Sequence, residues 1–83
     1  MKKYKEILIG ILNIPNSDVR WYVYSIPLDN KGTEVIMIKT HPLADEGATG
    51  KMVNGKFKPD PNYVVPQRII REVNKIINIR NSY

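Results

Sequence analysis

A chain of 83 residues with 13 Lys/Arg, 8 Asp/Glu and one histidine is too short for two hydrophobic cores, so residues 1–83 read as a single small domain. The absence of cysteine excludes disulfides and thiolate metal sites, and it fits a reducing, cytoplasmic setting. The net charge of +5 is uneven: residues 1–50 balance six Lys/Arg against six Asp/Glu, while residues 51–83 carry seven against two. Such asymmetry speaks of partners rather than of fold.

The first apolar stretch, Ile7 to Ile14, is interrupted by Gly10 and Asn13. It falls far short of the roughly 18–20 residues a membrane span requires, and it lacks the small-residue cleavage site of a secretory signal. Read with helical period, Tyr4, Ile7, Leu8, Ile11, Leu12 and Ile14 share one face and Pro15 ends it, which predicts a helix over residues 3–13. The alternative is a strand buried on both faces. It is favoured by Gly10, by the β-branched isoleucines and by Lys2, Lys3 and Lys5 at the positive helix end.

Pro15-Asn16-Ser17-Asp18 is turn chemistry. Residues 20–26 are aromatic and β-branched, with Trp21 and Val23 on one side and Tyr22, Tyr24 and Ile26 on the other. Pro27 stops them, Leu28 to Gly32 reverses the chain, and residues 34–40 supply the partner strand. His41 to Gly50 reads as a loop. Asn54-Gly55 predicts a type I′ turn inside a short 51–58 hairpin, setting Met52 against Phe57 and Lys51 against Lys58. Pro66 suits the first helical position. Ile69, Ile70, Val73, Ile76 and Ile77 then fall within an arc of about 120°, with Arg68, Arg71, Lys75 and Asn78 opposite, so a helix over 66–78 is expected. The fold class expected is α+β: a two- to three-stranded antiparallel sheet packed by the C-terminal helix and an N-terminal one.

No catalytic or metal-binding set stands out, and no cofactor is expected. His41, near Asp45 and Glu46, reads as a loop histidine rather than a general base. No motif singles out Ser17, Ser25 or a threonine as a nucleophile. Gly47 to Lys51 fails as a phosphate-binding loop, because Asp45 stands where glycine is required and Met52 where Ser or Thr is required. Trp21 reads as core rather than as a binding anchor.

The strongest candidate is the basic surface. Lys51, Lys56 and Lys58 lie on the hairpin, and Arg68, Arg71 and Lys75 on the outer helix face. Arg20, Tyr22 and Tyr24 could face outward on the sheet. Separated cations suit phosphates, and exposed rings suit unpaired bases. The expectation is a non-enzymatic protein that engages nucleic acid. The Ile-, Lys-, Asn- and Tyr-rich usage is that of an AT-rich coding sequence. It raises the alternative of a phage or mobile-element protein that binds a host protein, or one that sequesters an anionic nucleotide. Homodimerisation would be the remaining way to add buried area.

Overall fold

Period-two alternation in residues 20–26 and 34–40, and the positive-φ turn at Asn54-Gly55, set the framework of the sheet. A computed structural model describes residues 5–16, 18–44 and 47–82. Strands β1 (Ile7–Asn13), β2 (Arg20–Pro27), β3 (Glu34–Lys39), β4 (Ala48–Val53) and β5 (Lys56–Pro59) precede one helix, α1 (Gln67–Asn81). The strands form a single sheet in the order of the chain, each antiparallel to the next. At the β4–β5 turn Asn54 has φ 53° and Gly55 φ 79°, as a type I′ turn requires. The turn sets Lys51 opposite Lys58 and Met52 opposite Phe57.

The helix expected over residues 3–13 is instead strand β1 (residues 3 and 4 of that expectation lie outside the described residues). Gly10 supplies the reason. A Cβ placed there would lie 2.6 Å from Ile76 Cδ1, so α1 rests directly on β1 where the strand has no side chain. The cover on both faces that a strand seemed to require is not needed. Leu12 is buried beneath the helix, while Leu8 and Ile11 on the other face are 48% and 45% exposed.

The sheet therefore has five strands rather than two or three. The second source of the difference is Ala48–Gly50, which the sequence reads as loop. These residues pair with Ile36–Ile38 of β3. Gly50 stands where a Cβ would meet the Lys58 carbonyl oxygen and Pro59 Cα. It marks a close backbone approach within a strand, a use of glycine that resembles a loop signal in sequence.

The helix covers one sheet face. Ile69, Val73 and Ile77 pack with Leu12, Ile14, Val23, Ile36, Ile38 and Phe57 in the buried core, and Ile70 and Ile76 flank it. Each such side chain contributes about 1.5–3 kcal/mol on leaving water. Pro66 is the residue just before the helix rather than its first residue. Its carbonyl accepts from the Ile69 and Ile70 amides.

The C-terminal end lies three residues beyond the expected Asn78, because Arg80 has a partner. Its guanidinium donates to both carboxylate oxygens of Glu34, at 2.8 and 2.5 Å. The Ser25 hydroxyl donates to the same carboxylate at 2.5 Å. The Arg80 hydrogen bonds hold the Glu34 carboxyl below its ordinary range against the opposing effect of burial, with a smaller contribution from Ser25. Among the described residues, no helix is long and apolar enough to cross a membrane.

The two sheet edges differ. Edge β5 is four residues long, carries Lys56, Lys58 and Pro59, and gives its outward Phe57 amide to the Asn74 side-chain oxygen at 2.7 Å. These features block strand addition. Edge β1 has neither charge nor proline; its one irregularity is a bulge between Leu8 and Gly10.

Candidate nucleic-acid interface

Side chains alternate across a sheet, so the face away from α1 can be read as rows from the strand register. One row holds Ile11, Tyr22 and Lys39; the next holds Leu8, Tyr24, Met37 and Thr49; the third holds Ile26, Val35, Lys51 and Lys58. Arg20, opposite Asn13, lies at one corner. Lys56, opposite Val53, lies at the other. The span from Arg20 to the Lys51 row is about 20 Å at the usual rise per strand residue. Among the described residues, no helix or strand is layered on this face.

The face grades from apolar to basic. Leu8 and Ile11 are exposed, Tyr22, Tyr24, Val35 and Met37 are half-buried, and Lys51, Lys56, Lys58 and Arg20 are exposed. The ion pairs among the described residues join Lys39 to Glu6, Lys75 to Glu72 and Arg80 to Glu34. None of them engages Arg20, Lys51, Lys56 or Lys58. Asp60 accepts the Thr49 hydroxyl at 2.8 Å.

The expected basic residues thus fall into two groups. Lys51, Lys56, Lys58 and Arg20 share a sheet face with Tyr22 and Tyr24. Arg68, Arg71 and Lys75 lie on α1, on the other side of the sheet, and Lys75 is engaged by Glu72 at 3.0 Å. The cations are not gathered on one continuous surface. The cause is topological: the hairpin turns its lysines away from the very face on which the helix packs.

One residue of this face escaped the sequence reading. Lys39 is only 5% exposed, its Nζ is 2.6 Å from Glu6 Oε1, and it sits 5.0 Å from the centre of the Tyr24 ring. Its position as the last β3 residue, in phase with Met37 and Val35, was the available signal. One ring face of Tyr24 is therefore taken by a cation, which leaves Tyr22 as the freer ring.

Trp21 packs against the core. His41 is exposed, and its Nδ1 accepts the Leu43 amide at 3.1 Å; its neighbours Asp45 and Glu46 lie outside the described residues, as does Ser17. Residues Gly47 to Lys51 run into β4 rather than cradling an anion. Among the described residues, no three His, Asp or Glu side chains gather so as to hold a metal ion. Comparison with protein-family models, with curated proteins and with solved structures finds no match.

Proposed function

We propose that this protein works by binding, and that it holds single-stranded nucleic acid across the helix-free face of its sheet. One observation carries the reading: Tyr22 and Tyr24 lie between exposed cations, Arg20 on one side and Lys51, Lys58 and Lys56 on the other, none of them in an ion pair among the described residues. Rings supply sequence-tolerant stacking, and separated cations supply phosphate contacts. In this reading Arg68, Arg71 and Lys75 serve only as a distant positive field.

Anisotropy of a fluorescein-labelled oligothymidine or oligouridine, titrated across salt, tests it. Four phosphate contacts on a single strand give a slope of log K against log salt of about −3. Replacing Tyr22 by alanine costs about 1–3 kcal/mol of binding if a base stacks there. A flat salt response, or no binding at low salt, removes the proposal. A preference for duplex that depends on Arg68 and Arg71 would move the site to the helix.

A second reading, a protein partner, is favoured by the uncharged β1 edge and the exposed Leu8 and Ile11 beside it. Such a partner would survive nuclease treatment and be lost on Leu8→Glu.

A further inference from the structure

Lys39 is the most buried cation among the described residues. An ammonium taken out of water requires an anionic or π partner, and losing that partner is costly. Both kinds are present: the Tyr24 ring at 5.0 Å and the Glu6 carboxylate at 2.6 Å. The base and the acid of this pair are not equally fixed. Lys39 ends β3, in register with Tyr22. Glu6 precedes β1, whose pairing with β2 begins at Ile7, and it is 39% exposed. Its carboxylate reaches Lys39 from the far side of β2, across strands spaced about 4.8 Å apart. Moving Glu6 away breaks no strand pairing, whereas moving Lys39 disturbs the middle of the sheet.

We propose that Lys39 is the central phosphate contact of this face, and that Glu6 is an internal stand-in which an incoming phosphate displaces. The inference rests on the nucleic-acid reading above. Three features support it. A phosphate oxygen offers the ammonium the same charge-assisted hydrogen bond as a carboxylate. By register Lys39 lies on β3 in a row between Arg20 and the Lys51–Lys58 row, so the cations of this face are spaced along a diagonal that includes it. The Lys39 ammonium already sits over Tyr24, so one residue pair presents a cation beside a ring.

The test compares wild type, Glu6→Gln, Lys39→Met and the double variant by anisotropy with the same oligothymidine at fixed salt. Glu6→Gln is expected to tighten binding about two- to fivefold, the scale of a partly exposed ion pair released from competition. Lys39→Met is expected to weaken binding by at least as much. In the Lys39→Met background, Glu6→Gln should have no effect. A gain of equal size in both backgrounds would mean long-range charge alone and would overturn the proposal, as would no gain.

Should Glu6→Gln fail to melt cooperatively, Glu6→Asp replaces it, since it keeps the charge but withdraws it from Lys39. Its expected gain is smaller and equally dependent on Lys39. A separate arm measures melting temperature with inorganic phosphate. If wild type binds no oligonucleotide at low salt, the nucleic-acid reading fails. Lys39 as an anion site then stands only if phosphate raises the melting temperature of Glu6→Gln more than that of wild type or the double variant.

Discussion

Lys51 on β4 and Lys58 on β5 stand directly opposite each other, two like charges in register on the helix-free face. Like charges so placed oppose folding, whereas opposite charges support it by about 0.2–1 kcal/mol. Lys58→Glu is therefore expected to raise the melting temperature by a few degrees, about 2–6 °C for a domain of this size. The same change should weaken oligonucleotide binding and flatten its salt dependence. Calorimetry and anisotropy on one sample check both. Stability and binding moving in the same direction would refute the interpretation.

The Arg80–Glu34 contact makes a pH prediction. Hydrogen bonds from Arg80 lower the folded-state pKa of Glu34 from its ordinary 4.5. A carboxyl with a depressed folded pKa adds stability that is fully present above its unfolded value and is lost as pH falls through the folded one. Stability should thus decline below about pH 4.5, and Glu34→Gln should shrink that decline while lowering stability at neutral pH. Urea melts between pH 2 and 7 read both effects. Arg80→Lys should not substitute, because an ammonium cannot make the two-pronged contact.

Gly10 and Gly50 separate two kinds of close approach. At Gly50 a methyl group would meet backbone, the Lys58 carbonyl and Pro59 Cα. At Gly10 it would meet only side chain, with Ile76 Cδ1 at 2.6 Å and Cγ2 at 2.9 Å, and α1 can shift outward to relieve it where paired strand backbone cannot. Gly50→Ala should cost about 1–3 kcal/mol, typical of overpacking, and Gly10→Ala distinctly less. Denaturant melts of the two variants order them.

Asn74 should protect one amide in particular. Its side-chain oxygen accepts the Phe57 N–H at the β5 edge. Asn74→Ala leaves that donor without its partner beside a buried residue, at a cost of about 1–3 kcal/mol. Hydrogen exchange at Phe57 should accelerate more than at Lys51, which pairs with strands on both sides.

Much of this architecture was legible in the sequence because it depends on local signals. The alternation of Trp21 to Ile26, the Asn54-Gly55 turn and the isoleucine stripe of α1 each fix a face without reference to anything distant. The features that were not legible depend on contacts across the fold. Gly10 and Gly50 look like breakers until Ile76 and Lys58 are seen against them. Arg80 looks like the end of the helix pattern until Glu34 is seen beside it. The same holds at the candidate site. Arg20, Tyr22, Tyr24 and the hairpin lysines share a face because strand period is readable. Their separation from Arg68, Arg71 and Lys75 depends on which side of the sheet the helix chooses, and Lys39 was hidden by its unremarkable position at a strand end.

Because every strand pairs only with its immediate neighbours in sequence, the sheet can zip up hairpin by hairpin as the chain leaves the ribosome. The helix emerges after all five strands. Until it does, Val23, Ile36, Ile38 and Phe57 have nothing over them. The nascent protein therefore passes through an interval with a bare, sticky underside, and it is then that a chaperone would find its grip.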